Sequence, residues 1–452
     1  MNGDGLQDVY IGGATGQAGQ IYLQNSTGSF VKKEQKIFDQ YADFEDEGSL
    51  FFDCDHDGDL DLLICPGGNN FPPLSRQMQL RLYKNDGQGN FELDGNAFPN
   101  NNANMSVAIA SDFDGDGDLD LFVGGRSVPQ GYGLAPSSYI YVNDGKGHFT
   151  DMAKQKNADI TNIGMVTSAE WADVTGDKNK ELIIAGEWMA PRIFSYSGDH
   201  FIEVKTNLDD LYGWWQTISV ADVDGDGKQD LVLGNIGENF YLQPDKKNPV
   251  KLWINDFNQN GNIDKILTYT VDGKDKPVFL KREVQDQIPA IKKQNLRHED
   301  FAKKSMGDLF SPEVCKNCTV RQFNYSSSIV ALNKGNGSFI IKKLPPMAQV
   351  SSINAIHPLD INQDGYIDLM LGGNQSGFPP QFGRLDASYG DVLINDRKGG
   401  FTWIDANHSG LSIKGEVRDI KEIASTTNKY VLFLRNNDYP VLYQLNKNIK
   451  GK

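Results

Sequence analysis

The sequence predicts an all-β fold, a β-propeller of four-stranded blades, and three observations carry the prediction. A loop of the form D-x-D-x-D-G-x-x-D recurs along the chain, a turn of the form N-x-G-x-G-x-F follows most copies, and short apolar runs flank both. Units of about 50 residues with four antiparallel strands are too small to bury a face alone, so they stack radially. The same spacing of strands and turns also permits an all-β sandwich.

In chain order, the N-terminal "MNGDGLQD" is the loop motif without its first position, and full copies start at Asp53, Asp112, Asp222 and Asp360. Weaker copies start at Asp173 ("DVTGDKNKE") and Asp256 ("DFNQNGNID"). The turns start at Asn85, Asn143, Asn333 and Asn395, with shorter versions ending at Phe30 and Phe201. Asn, Asp and Gly clustered between apolar runs read as hairpin turns. Each unit therefore runs strand, aspartate loop, strand, variable loop, strand, Asn-Gly turn, strand. In the third copy these are "SVAIASDF", the loop, "DLFVGG", "RSVPQGYGLAPSS", "YIYVND", the turn and "HFTDM". The Asp222 unit is expected to have shortened outer strands. The Asp256 unit is expected to carry an insertion over 272–325, helical in two pieces broken near Pro289, before "SSIVALN" and "SFIIKK" complete it. The tail from Glu416 keeps the strand pattern without aspartates, so one propeller domain is expected over 1–452.

The D-x-D-x-D-G-x-x-D loop followed by "DLFVGG" or "DLMLGG" resembles the FG-GAP or VCBS-type repeat of integrin α-subunit propellers and exported bacterial repeat proteins. "GWWQTISVADVDGDGKQDLVLGNIGENF" and "FGRLDASYGDVLIND" look like the bacterial proteins that sit beside UnbV-type domains, although no such domain is visible here. The resemblance implies seven blades most often, with eight left open by the incomplete first and last units.

The loop chemistry stands on its own. A hard dication takes six to eight oxygens, which side chains at positions 1, 3, 5 and 9 and the carbonyl of position 7 supply, while glycine at position 6 permits the tight turn. The sets are Asp53, Asp55, Asp57, Asp59 and Asp61; Asp112, Asp114, Asp116, Asp118 and Asp120; Asp222, Asp224, Asp226, Lys228 and Asp230; and Asp360, Asn362, Asp364, Tyr366 and Asp368. Asp256, Asn258, Asn260, Asn262 and Asp264 form a set with fewer charges and weaker expected binding. At Asp173 the glycine is replaced by Lys178 and position 3 by Thr175, so that copy reads first as a solvated turn, with an ammonium in place of a metal as the alternative. For the other loops the alternative is a series of solvated turns, Asp and Gly being ordinary turn residues. Magnesium needs a smaller octahedral site and dehydrates reluctantly, so calcium is expected, four or five ions in all. Loops of this kind bind with dissociation constants on the order of 10⁻⁴ to 10⁻³ M in extracellular modules, which points outside the cell, at the cell surface or beyond.

The formal charge of -16 argues against nucleic acid or an anionic membrane surface as the main partner. No run of about 18 apolar residues spans a bilayer, and no targeting signal is visible at the start. Cys54 and Cys65 flank one loop and are not expected to bond. Cys315 and Cys318 form a C-x-x-C outside any βαβ unit, read as a local disulfide or two plain thiols rather than a redox centre. There is no G-x-S-x-G or H-E-x-x-H, and His56, His148 and His200 sit in turns.

In each unit the aspartate loop and the Asn-Gly turn share one end, so the long, varied loops between the second and third strands gather on the opposite face. That face collects Phe71, Arg76, Arg126, Tyr132, Trp188, Phe378, Arg384 and Tyr389, the aromatic and arginine mix of recognition surfaces, although each could merely pack its loop. Trp214 and Trp215 read as blade packing. The insertion is basic, with Lys281, Arg282, Lys292, Lys293, Arg297, Lys303 and Lys304, and suits either a solvated cap or an acidic partner. The expected function is a non-enzymatic, calcium-stabilised binding or assembly module for a protein or glycan. A calcium-dependent polysaccharide lyase on the same scaffold is the alternative. Because the first unit starts after its first strand, the natural chain is expected to be longer and the first unit to neighbour the tail from Glu416 to Leu445.

Overall fold

A computed structural model describes residues 1–101, 104–152, 157–426 and 428–445. Seven antiparallel sheets follow one another along the chain, and an eighth is inserted within the fifth. The third blade is the pattern for the rest. Its strands Asn104–Ser111, Asp120–Ser127, Tyr139–Asn143 and Phe149–Asp151 pair in chain order. The second, fourth and sixth blades repeat this order, and the first and last blades have three strands each.

Second strands read as continuous apolar runs because neighbouring blades cover both of their faces. Asp61–Pro66, Asp230–Gly234 and Asp368–Gly373 are buried at every position. The paired glycines of "DLFVGG" and "DLMLGG" then make room for the next blade. A Cβ on Gly124 would lie 2.6 Å from Val166 Cγ1, and one on Gly372 would lie 2.3 Å from Val417 Cγ1. Only glycine lets those valines seat.

The core is correspondingly split into clusters between blades rather than one central mass. Leu63, Leu82, Leu121 and Val123 join blades two and three; Phe122, Ile140, Leu182 and Phe194 join three and four. The pattern continues to Met370, Val392, Val431 and Phe433 between the sixth and seventh. First strands stand side by side in blade order. The last blade meets the first through hydrogen bonds, from Ala424 N–H to Gln7 Oε1 (2.6 Å) and from Thr426 Oγ1 to the Ser26 carbonyl (3.3 Å). None of the apolar clusters of described residues spans that seam.

The fifth blade corrects two expectations. Its second strand, Asp230–Gly234, pairs with Ile329–Asn333, so "SSIVALN" and "SFIIKK" complete the Asp222 unit rather than the Asp256 unit. The Asp256 loop instead belongs to the inserted sheet, in the order Lys274–Pro277, Asp264–Val271, Val250–Asn255, Thr319–Phe323. The helical part of the insertion is five short pieces between Lys281 and Lys316, with Pro289 capping the second. Trp214, Phe240, Leu252, Ile254 and Phe323 bind this module to the ring.

Candidate metal sites and the opposite face

The position-9 carboxylate is the fixed point of each loop. Asp61, Asp120, Asp230 and Asp368 are buried, and one oxygen of each accepts the backbone N–H of the turn asparagine, Asn85, Asn143, Asn333 or Asn395, at 2.7 to 3.0 Å. The aspartate loop is thereby tied to the Asn-Gly turn beside it. Position 1 folds the loop itself: Asp112 accepts from Gly115 and Gly117, and Asp222 from Gly225, Asp226 and Gly227.

Three loops bring carboxylates to one point. Asp112, Asp114 and Asp120 offer oxygens all within 4.8 Å of one another, as do Asp222, Asp224 and Asp230, and Asp53, Asp55 and Asp57. Burial pushes the Asp120 carboxyl up to about 7, with Asp114 and Asp116 adding to the shift, and pushes Asp230 up to about 6. Among the described residues Asp53 Oδ1 and Asp55 Oδ1 are buried without a hydrogen-bond partner, and Asp120 Oδ2 closes no hydrogen bond of normal geometry although the Phe113 N–H lies beside that carboxyl. An unpaired buried carboxylate oxygen is costly, and a hard cation among these oxygens removes the cost, so the residues suit a hard metal ion.

The loops differ in what already faces them. Lys84 pairs with Asp55 (2.9 Å), Lys334 with Asp224 (2.8 Å), Lys228 with Asp226 (2.8 Å), and Arg397 with Asp364 (3.2 Å). Around the Asp112 loop the recorded cation is His56, and it reaches Asp118, the position that would offer its carbonyl rather than its side chain. The Asp112 set is therefore the best prepared for an ion. In the Asp256 set, Asp264 is buried and takes the Phe257 N–H, while the Asn258 amide donates to the Gln287 carbonyl. At Asp173 Lys178 enters the loop through its backbone N–H, which donates to Asp173 (2.9 Å), and not through its ammonium. Glu181, at position 9, accepts from Val174 N–H, Thr175 N–H, Thr175 Oγ1 and Ser195 Oγ, so hydroxyls and amides fill that site. In the N-terminal copy the Met1 ammonium pairs with Asp8 at 2.9 Å.

Sequence reading missed one role of the turn asparagines. Asn143 Nδ2 donates to the carbonyl of Cys54 in the preceding blade (2.9 Å), Asn333 to Val174 (2.9 Å), Asn395 to Val223 (2.8 Å), and Asn85 to Met1 (2.9 Å). Each asparagine pins its turn to loop position 2 of the blade before it. The signal available was the same Asn in four turns that otherwise vary.

On the opposite face, three of the expected ligand residues converge on a residue that sequence reading did not single out. Glu187 accepts from Arg126 (2.8 Å) and from the Tyr132 hydroxyl (2.8 Å), and Trp188 Nε1 donates to that hydroxyl (3.0 Å). Arg126, foremost, and the hydrogen bonds offset burial and hold the Glu187 carboxyl below its ordinary value. These four residues satisfy one another. Phe378 stacks on Trp214 and packs against Phe240, while Arg384 and Tyr389 stay exposed and Phe71 lies half-buried in the loop that carries Arg76. Trp214 and Trp215 are buried. All four cysteines are free, and burial pushes the Cys318 thiol up to about 11. Among the described residues no helix is long and apolar enough to cross a membrane.

Among solved structures, the V. cholerae biofilm matrix protein Bap1 is similar at 11% identity, over 99% of this chain and 86% of that one, with a TM-score of 0.39. The Dos1 propeller is similar at 10% identity over 97% and 89%, with a TM-score of 0.43, and the exotype rhamnogalacturonan lyase YesX at 11% over 96% and 75%, with 0.35. No curated protein matches the sequence. The FG-GAP-like repeat profile matches residues 1–64, 53–123, 112–184 and 173–233, each later match opening on the first aspartate of a loop described above. Those matches run unbroken over more than half of the 452 residues, and the chain belongs to the FG-GAP-like repeat family.

Proposed function

We propose that this propeller is a non-enzymatic, calcium-stabilised module that works outside the cell and presents the face opposite its aspartate loops to a protein or glycan. The observation that carries the proposal is the Asp112, Asp114 and Asp120 cluster, three carboxylates whose oxygens converge within 4.8 Å and which face no paired cation among the described residues. Calcium suits it better than magnesium because the loop offers many protein oxygens in a flexible arrangement. Similar clusters at Asp53 and Asp222 would take further ions after displacing Lys84 and Lys334, and the Asp256 and Asp360 loops would bind more weakly.

The ions would brace one face while the loops of the other vary. Binding to the native state alone stabilises by RT ln(1 + [L]/Kd), so each site at ~10 Kd contributes ~1.4 kcal/mol. The test is a thermal melt with calcium and with chelator, on the parent and on a variant carrying Asp112→Ala and Asp116→Ala. Calcium should raise the parent's melting temperature, and the variant should lose one ion's share. Identical melts with and without chelator would overturn the calcium reading, and unsaturated product from a uronic-acid polymer would overturn the non-enzymatic one.

A further inference from the structure

We infer that a recess on the second blade, at the face opposite the aspartate loops, binds a uronate sugar residue through Arg76 and Asp94. The recess has a volume of about 160 Å³ and is lined by Tyr41, Phe44, Arg76, Arg81, Asp94 and Phe98, among others. That is well below the roughly 300–1,000 Å³ of pockets for drug-sized ligands, so it admits a single ring rather than a chain.

Its polar groups divide into used and unused. Arg81 is buried and paired with Asp46. Gln79 donates to the carbonyls of Ser75 and Asn101, and Asn101 donates to the Met78 carbonyl and accepts from Leu80 N–H. These side chains build the wall.

Two charged groups are left. The Arg76 side chain has no ion pair or hydrogen bond among the described residues, yet its guanidinium is held over Tyr41 at 4.8 Å and Phe44 at 5.2 Å from the ring centroids. Arg81 covers the Phe44 ring as well, at 4.8 Å. The two ring contacts restrict the guanidinium while its N–H groups stay free to receive a carboxylate bidentately. Asp94 uses one oxygen on Asn96 N–H (2.9 Å), and its other oxygen has no partner among the described residues. That second carboxylate repels a ligand that is only anionic and calls for a hydroxyl donor. A sugar acid carries both groups on one ring. Shared with the proposed function is only the choice of face, and calcium melts and sugar binding are separate readouts, so either reading can fail alone.

The test is calorimetric titration of the full chain, in calcium, with galacturonate, galactose and an oligoglutamate peptide. Galacturonate should bind and galactose should not. Arg76→Ala should weaken galacturonate at least about tenfold, the loss expected for a charge-assisted pair, with Arg76→Lys in between. Asp94→Ala should weaken it severalfold without lowering the melting temperature enough to signal unfolding. Absent galacturonate binding, or binding untouched by Arg76→Ala, would overturn the site. Oligoglutamate binding tightly with the same Arg76 dependence would overturn the sugar assignment.

Discussion

Asp120 is a carboxylate placed where a cation or a proton satisfies it. Its Oδ1 takes the Asn143 N–H, the Phe113 N–H lies beside the carboxyl, and burial pushes it up to about 7. The same cause raises Asp61, Asp230, Asp264 and Asp368. A carboxyl raised on folding binds more protons in the native than in the unfolded chain between the two values. The contribution is therefore fully present below about 4, the unfolded value, and is lost as pH rises through the folded value near 7. In chelator the melting temperature should fall from pH 5 to pH 8, and calcium should flatten the fall by holding the carboxylates ionised. Asp120→Asn should melt at or above the parent in chelator at pH 8, yet lose one calcium increment. An apo melt independent of pH over this window would show that burial does not raise these carboxyls, and an Asn variant that keeps the full calcium response would show that Asp120 is not a ligand.

The strand and loop pattern made most elements legible, because a period of two, an apolar second strand and Asn-Gly punctuation each have a local cause. What depends on distant partners was not legible. "SSIVALN" falls in another sheet than expected because a whole sheet and five short helices separate it from Asp230–Gly234, and its pairing rests on the distant ladder that joins Leu231 to Ala331 and Leu233 to Ile329 and on the bond from Asn333 N–H to Asp230. For the site, the carboxylates could be read from spacing, but not which of them Lys84, Lys334 or Arg397 already faces. The asparagine pins were hidden for the same reason: Asn143 and Cys54 lie 89 residues apart. Removing the Asn143 amide orphans the Cys54 and Leu119 carbonyls it bonds and the Gly147 N–H it accepts. Asn143→Ala should cost on the order of 1–3 kcal/mol in denaturant melts, whereas Lys146→Ala in the same turn should stay within about 0.5 kcal/mol. Equal effects would reduce the asparagine to an ordinary turn residue.

At the scale of the ring, sequence repeat and blade are out of phase by one strand. Each profile match runs from one aspartate loop to just past the next, so a repeat supplies three strands of one blade and the first strand of its neighbour. That offset makes every repeat a covalent tie between adjacent blades, matched by an apolar cluster at the same junction. The seam between the last and first blades differs, with Ala424 and Thr426 reaching Gln7 and Ser26 by hydrogen bonds alone among the described links. Stability in stacked repeats is set by nearest-neighbour interfaces, so the weakest interface opens first. Amide exchange should be faster in Val9–Ile11 and Lys429–Arg435 than in Asp120–Ser127 or Asp230–Gly234. Phe433 sits on the strong side of its blade, buried with Met370 and Val392 of the sixth, so Phe433→Ala should cost about 3–5 kcal/mol and carry the sixth blade with it. Thr426→Ala, at the seam, should cost less than about 1.5 kcal/mol, the value of one hydrogen bond. If the two substitutions cost the same, or if exchange is slowest at the seam, the ring is held shut at its ends rather than by its blade-to-blade cores.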